Sequence, residues 1–361
     1  MPIPFVDLRS AIEETRACWE ANLAELHARS SYVLGFQVES FEREFAAATG
    51  AKFAIGVASG SDAISLCLRE RGITSARQEV LTSALTAPFT AVAIRAAGAT
   101  PVFADINPDD LHLDVADAAA RITRRTAALL PVHLYGEPAA ITPLRQLARD
   151  WGVPLIQDAC QAHGADAFTR YSPHVCYSFY PTKNLGALGD AGAITTNSAV
   201  VARRLRQMRD GGRRGGQICF GPGWNSRLDE LQACYLRAFL KRLPDWNQRR
   251  QRAAARYDER LQGIDGVRLV RRSKSSVSHL YVVRAERRDQ LRQFLAARGV
   301  ATGIHYPVPL HRQPAFAPPK RLVLPHAERA CREILSLPIG PFLREEQVDL
   351  VAELIREFYS K

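Results

Sequence analysis

Lys183 stands in CYSFYPTKNLGALGDAGAI (176–194), between the end of an apolar run and a glycine-rich turn. Of 48 basic residues only six are lysines, the others being Lys52, Lys241, Lys274, Lys320 and Lys361, so a lysine here points to a task arginine cannot do. Schiff-base formation is such a task, because it needs an amine that can lose its proton. Gly186, Gly189 and Gly192 beside it are expected to supply unusual backbone angles and close approach. Asp158 ends the apolar run VPLIQDA (153–159), where a carboxylate is costly unless it meets a cation or several donors. A protonated pyridine nitrogen is one such cation, and a helix N-cap is the plainer alternative. In ASGSDAISLCLRERG (58–72), Ser59, Gly60 and Ser61 lead from an apolar run into a helical pattern. Small residues there let backbone N–H groups approach a phosphate, which the helix dipole favours. Taken alone, Ser61 reads first as an ordinary N-cap. Together, an amine, a strand-end carboxylate and a phosphate cradle are what pyridoxal phosphate requires for its aldehyde, ring nitrogen and phosphate.

The elements that must position these residues alternate along the chain. Apolar runs at 53–59, 78–83, 100–106, 127–136, 153–159, 175–180 and 191–196 read as strands, and segments such as 141–152 between them carry helical periodicity. Strand, helix and strand repeated in this way predict an α/β fold, a mainly parallel sheet wrapped by helices. Ligands of such sheets collect at the C-terminal strand ends, where all three stretches fall. Two N-terminal helical stretches (10–28 and 36–48) precede the sheet. From 228 the texture becomes one long arginine-rich helical pattern interrupted by Pro244, followed by strand-like runs HLYVVR and VATGIHYPV among amphipathic helices. The expected division is a large domain over 1–240 and a smaller α+β domain over 241–361.

Composition narrows the function further. At 361 residues, 47% hydrophobic and 24% charged, the chain is of globular type. Its longest apolar runs are cut by Arg95, Asp105 or Arg124, short of the roughly 20 residues a membrane span needs, and the N-terminus shows no secretory pattern, so a cytoplasmic protein is expected. Seven cysteines without a C-x-x-C pair fit neither a disulfide framework nor a zinc site. No G-x-G-x-x-G in strand context, P-loop or H-E-x-x-H is present, and beyond a possible pair at His305 and His311 the histidines scatter, so no metal is expected. The net charge of +11 leaves nucleic acid, an acidic membrane surface and phosphorylated small molecules open.

The ordered stretches YVLGFQVESFEREFAAATG, SGSDAISLCL, GATPVFADI, QDACQAHGA, SFYPTKNLGALGDAGAI, GWNSRLDELQA, HYPVPLHRQPAF and LSLPIGP resemble the DegT/StrS sugar aminotransferases, of the fold type I pyridoxal-phosphate superfamily. The resemblance implies a seven-stranded sheet in the large domain. It implies that Lys183 forms the Schiff base, that Asp158 holds the ring nitrogen protonated and that Gln161 lies near the phenolic oxygen. Ser178, with the amides of Gly60 and Ser61, would bind the phosphate. Asn225 would reach that phosphate from a neighbouring subunit, implying a homodimer with shared sites. Ala87 stands where the family usually has an aromatic ring stacked on the cofactor, and Phe89 is the candidate substitute. The stretch 165–175 also looks shorter than usual, which bears on the loop near the sugar. His163, His305 and His311 are substrate-side candidates.

The implied reaction moves an amino group from glutamate to a keto-sugar nucleotide, with pyridoxamine phosphate as the intermediate form of the cofactor. Gln161 inclines the acceptor toward a dTDP- or UDP-linked 3-keto sugar; 4-keto sugars and cyclitol ketones are the alternatives. A related branch that dehydrates instead carries histidine in place of the lysine. The rival of another class is a non-catalytic regulator binding the cofactor or DNA; neither a helix-turn-helix nor a concentrated basic stripe supports it.

Overall fold

The computed structural model describes residues 2–166, 168–318 and 320–360. Its strands are β1 (Phe53–Val57), β2 (Glu79–Ser83), β3 (Thr100–Ala104), β4 (Thr126–Leu130), β5 (Gln157–Asp158), β6 (Val175–Ser178), β7 (Gly192–Thr196), β8 (Val267–Leu269), β9 (Tyr281–Ala285) and β10 (Ile334–Leu337). The helices are α1 (Arg9–Glu14), α2 (Arg16–Arg29), α3 (Phe36–Ala48), α4 (Gly60–Glu70), α5 (Pro88–Ala97), α6 (Val115–Arg121), α7 (Ile141–Asp150), α8 (Ala199–Arg209), α9 (Glu230–Leu240), α10 (Leu243–Leu261), α11 (Arg288–Ala297), α12 (Pro325–Glu333) and α13 (Glu345–Tyr359).

Two ladders, β3-β2-β4 and β5-β6-β7-β1, are joined by parallel bridges Leu129–Leu155 and Val132–Asp158. The result is one seven-stranded sheet in the order β3-β2-β4-β5-β6-β7-β1. Only β7 runs against its neighbours, so the C-terminal ends of the other six lie along one edge. The strands are near-continuous apolar runs because helices cover both faces: Ile55, Val57, Val80, Ala128, Leu130, Ile156 and Ile194 pack under α4, α5 and α8, while Tyr177, Phe179 and Ala193 pack against Phe41 and Phe45 of α3.

The arginine-rich pattern after 228 is two helices. Pro244 does not kink a single helix; it occupies the first turn of α10, where its missing N–H costs nothing. The C-terminal part carries an antiparallel sheet, β8-β9-β10, backed by α10, α11 and α13. Of the two strand-like runs expected there, HLYVVR forms β9, whereas 300–308 forms no strand and makes only isolated bridges at Val300 and Gly303; β9 is central, with β8 on one side and β10 on the other. Among the described residues no helix is long and apolar enough to cross a membrane, and no group of histidine, cysteine or acidic side chains could hold a metal ion. All seven cysteines are free thiols.

Candidate active site

A cavity of about 830 Å³ opens at the C-terminal edge of the sheet, and Lys183, Asp158, Gly60, Ser61, Ser178, Gln161, Phe89 and His305 all line it. Four strand ends, those of β1, β2, β5 and β6, deliver all of these groups except His305, which comes from the segment 300–308.

The turn after β1 begins α4. Ser59, not Ser61, is the N-cap: its Oγ accepts the Asp62 N–H at 3.1 Å. The N–H groups of Gly60 and Ser61, first in the helix, have no intrahelical acceptor, and both residues line the cavity together with Ser178. Gly60 is needed for proximity, since a Cβ there would sit 2.6 Å from Ser178 Cβ and 3.0 Å from Cys160 Sγ. A Cβ at Gly192 would likewise meet the backbone of Ser59, and one at Gly186 the carbonyl of Pro181. None of Gly186, Gly189 and Gly192 has a positive φ, so the expectation of unusual backbone angles is corrected: two of them serve close approach, and Gly189 meets only the Gln232 side chain.

Asp158 is buried at the end of β5 and caps no helix. Its Oδ2 accepts the Thr90 hydroxyl at 2.9 Å and its Oδ1 the Cys160 N–H at 3.1 Å. Thr90 in turn lies 3.3 Å from the Thr86 hydroxyl. Among the described residues Asp158 forms no ion pair, so a buried carboxylate faces the cavity without a counter-cation.

Lys183 follows the end of β6 and is half-buried; its backbone N–H closes a turn on the Tyr180 carbonyl at 2.9 Å. Its neighbour Asn184 anchors the loop, donating to Asn247 Oδ1 and the Val277 carbonyl, each at 2.9 Å. Among the described residues Lys183 Nζ makes no hydrogen bond and no ion pair. Desolvation lowers its pKa below the usual lysine value, against a smaller opposing pull from Cys160 and Asp158.

Gln161 is buried between two fixed partners. Its Oε1 accepts the Tyr135 N–H at 2.7 Å, and its Nε2 donates to Tyr306 Oη at 3.2 Å. His305 lies over Phe5 with ring centroids 5.6 Å apart and meets Ser336 Oγ at 2.8 Å through Nδ1. Burial, with a smaller effect from Lys183, lowers its pKa to about 4, so the ring is neutral at pH 7.

Other expected residues fall elsewhere. His163 is fully buried against Tyr177 and Phe179, outside the cavity lining, with both ring nitrogens unpartnered and its pKa lowered by burial to about 3; it cannot touch substrate. His311 is also buried outside the cavity, its Nε2 3.0 Å from Glu328 Oε1, because its short turn packs into the core around Leu310. Both are corrections to the substrate-side set. Phe89 lines the cavity but is 68% exposed, at the mouth rather than pressed onto the floor. Asn225 is exposed and lines a neighbouring hollow with Tyr32, Ala58 and Asp190; Asp190 borders both spaces. Of the stretch 165–175, Ala167 lies outside the described residues. The residues that sequence reasoning passed over are Thr90, Tyr306, Tyr180 and Arg250, all in the lining. Thr90 adjoins Phe89, Tyr306 adjoins His305 and Tyr180 lies between Ser178 and Lys183, whereas Arg250 is far along the chain from every candidate.

A family model described as the DegT/DnrJ/EryC1/StrS aminotransferase family matches residues 15–356. The chain belongs to this family. The dTDP-3-amino-3,4,6-trideoxy-alpha-D-glucose transaminase of Streptomyces venezuelae is 44% identical over 367 residues, spanning 99% of this chain and 97% of that protein. The crystal structure of S. venezuelae DesV in complex with a ketimine intermediate matches with a TM-score of 0.95 at 42% identity, covering 100% of this chain and 99% of its own. NtdA from Bacillus subtilis, solved with bound cofactor PMP, matches with a TM-score of 0.92 at 29% identity, covering 99% of this chain and 85% of its own. As a DegT/DnrJ/EryC1/StrS protein the chain is a sugar aminotransferase of pyridoxal-phosphate type.

The cavity suits that cofactor on its own evidence. The buried, unpaired Asp158 carboxylate calls for a cationic N–H, Lys183 offers an unengaged amine, and the Gly60 cradle leaves helix N–H groups beside the Ser178 hydroxyl for a phosphate.

Proposed function

We propose that the protein transfers the amino group of glutamate to C3 of a nucleotide-linked keto sugar, as a homodimer with shared sites. The observation that carries the reading is the convergence of Lys183, Asp158 and the Gly60–Ser178 cradle on one cavity large enough for a cofactor and a sugar. The acceptor position is supported by Gln161, which presents an amide donor toward Tyr306, and by relatives whose names specify 3-amino sugars.

Lys183 would carry the cofactor's aldehyde, Asp158 its ring nitrogen, and Gly60, Ser61 and Ser178 its phosphate, with Gln161 near the phenolic oxygen and Asn225 reaching in from the second subunit. Bound there, pyridoxal phosphate supplies an electron sink that acidifies the carbon bearing the amine. Asp158, held by Thr90 and the Cys160 N–H, has its carboxylate fixed in orientation and would meet a ring nitrogen bound there without rotating away. Lys183 Nζ, made less basic by desolvation, takes the proton from the α-carbon of glutamate and in the return reaction delivers a proton to C3 of the sugar. His305 stays neutral and acts as a hydrogen-bonding wall beside the acceptor. We place the cofactor-binding domain at 1–240 and the smaller domain at 241–361, supported by the break between α9 and α10 and the separate β8-β9-β10 sheet. The soluble, charged substrates suit the cytoplasm.

The test is the visible absorption spectrum of the purified protein. A yellow band that bleaches with glutamate and returns with one ketone of a nucleotide-sugar panel is expected. A band indifferent to glutamate would refute the donor, and no band with added cofactor would refute the role of Lys183.

A further inference from the structure

Four arginines are buried among the described residues: Arg209, Arg250, Arg284 and Arg288. Arg209 meets Glu42, Arg284 meets Glu333 and Arg288 meets Asp289. Arg250, 5% exposed, has no carboxylate within 4 Å among the described residues. Its Nη1 reaches the carbonyls of His279 at 3.4 Å and Ile339 at 3.3 Å, both long for hydrogen bonds. Nε and Nη2 donate to no protein acceptor, and neither is sealed into the core as Arg209 Nε is. The side chain lines the cavity beside His279 and Ile339. Asp7 borders two smaller hollows with Arg250, but its oxygens already accept from Ser10, at 3.1 Å from N and 2.6 Å from Oγ. Burial lowers the Arg250 pKa to about 10, which leaves it cationic at pH 7.

A guanidinium taken out of water without a counter-ion is expensive, and its planar fork matches a carboxylate in bidentate fashion. Its place selects which anion. Arg250 lies one turn along α10 from Asn247, whose side chain is bonded to Asn184, the residue after Lys183. It therefore belongs to the end of the cavity where the reacting amine sits. A sugar nucleotide carries its diphosphate several bonds from the ketone, and the cofactor phosphate has the α4 cradle. The anion attached directly to the reacting carbon is the α-carboxylate of an amino-acid donor.

We propose that Arg250 is the receptor for the α-carboxylate of the amino donor, an assignment that rests on the transaminase reading above. The test is single-turnover absorbance of the holoenzyme with glutamate and with its α-amide, isoglutamine, in wild type, Arg250→Gln and Arg250→Lys. Wild type is expected to prefer glutamate by about 10- to 150-fold, the range for a hydrogen-bonded charged pair. Arg250→Gln should bring the two donors within about threefold, and Arg250→Lys should restore part of the gap. A merely structural role would slow both donors equally and keep their ratio, and that result overturns the proposal. Stabilisation of the holoenzyme by glutarate, read as a rise in Tm, should vanish in Arg250→Gln; stabilisation equal to wild type also overturns it. Should wild type ignore both amino donors while glutarate stabilisation still depends on Arg250, the choice of donor fails and the carboxylate site stands.

Discussion

Replacing Gly60 with alanine should disable cofactor binding while leaving the fold intact. The new Cβ would lie 2.6 Å from Ser178 Cβ, 3.1 Å from Ser178 Cα and 3.0 Å from Cys160 Sγ, whereas ordinary contact begins at 3.4 Å. Because one of the opposing atoms is backbone of β6, rotamer changes cannot relieve the clash, and α4 must retreat by about 0.8 Å, the difference 3.4 − 2.6. A phosphate held between the α4 N–H groups and the Ser178 hydroxyl then loses one side of its grip, since a bond near 2.9 Å stretches to roughly 3.7 Å, beyond useful range. Losing two hydrogen bonds to a charged group, at about 1.5–3 kcal/mol each, costs about 3–6 kcal/mol, or roughly 10²- to 10⁴-fold in affinity. The overpacking itself should cost about 1–3 kcal/mol of stability. The assay titrates apoprotein with pyridoxal phosphate by absorbance and records Tm in parallel. Gly152→Ala is the control: its Cβ would meet no atom within 4 Å at φ +65°, so it pays only backbone strain of about 1 kcal/mol and binds cofactor normally. A folded Gly60→Ala protein with cofactor affinity within threefold of wild type would refute the cradle.

Lys183→Ala should reduce turnover at least 10⁴-fold while the protein still binds cofactor non-covalently, as the loss of the band for the lysine-bound cofactor will show; near-normal turnover would sink the assignment. Acid should destabilise the fold well above the carboxylate range. His133 and His163 are lowered to about 3, His305 to about 4 and His279 well below its usual value, all chiefly by burial. Below pH 6.5 the unfolded chain takes up protons that the folded chain refuses, so stability falls with pH by up to about 1.4 kcal/mol per unit for each histidine. Urea midpoints measured at pH 7 and pH 5 should therefore differ sharply, and equal midpoints would contradict the burial of these rings. Mixing inactive Lys183→Ala and Asn225→Ala subunits should restore roughly a quarter of wild-type activity, because half of the dimers formed at random are mixed and each mixed dimer rebuilds one of its two sites. No recovery on mixing would refute shared sites.

The sheet was legible because its strands are short, apolar on both faces and separated by helical periodicity, and Asp158 and Lys183 stood out as candidates because they end or follow such strands, whereas Ser178 and Gln161 came only with the family resemblance. The histidines were not. His163 and His311 look on the page like any candidate ligand, and only packing separates them from His305: the first is walled in by Tyr177 and Phe179, while the last borders open space. Arg250 was hidden for the opposite reason. It sits among Arg249, Arg252, Arg256 and Arg260 on a helix rich in solvated charge, where Arg256 and Arg260 pair with Asp349 and Arg249 with Asp245, and nothing local marks the one arginine that turns inward. Thr90 escaped because its partner Asp158 lies 68 residues away.

Gln161 shows how backbone geometry far from the chemistry fixes the polarity of the site. Tyr135, after β4, holds a left-handed conformation at φ 58°, a strained choice for a side-chain-bearing residue. That turn aims the Tyr135 N–H at Gln161, and an N–H can only donate, so the oxygen of the Gln161 amide must face it. The amide's NH₂ is thereby committed to the opposite side, toward Tyr306 and the cavity. The Tyr135 hydroxyl meanwhile bonds the His305 carbonyl, tying the segment that carries His305 and Tyr306 to the same turn. One strained residue thus sets both the donor character of Gln161 and the position of the wall opposite it. The cavity presents a fixed donor where an electron-rich phenolic oxygen is expected, and a histidine at 161 could satisfy the Tyr135 N–H only by giving up that donor's geometry.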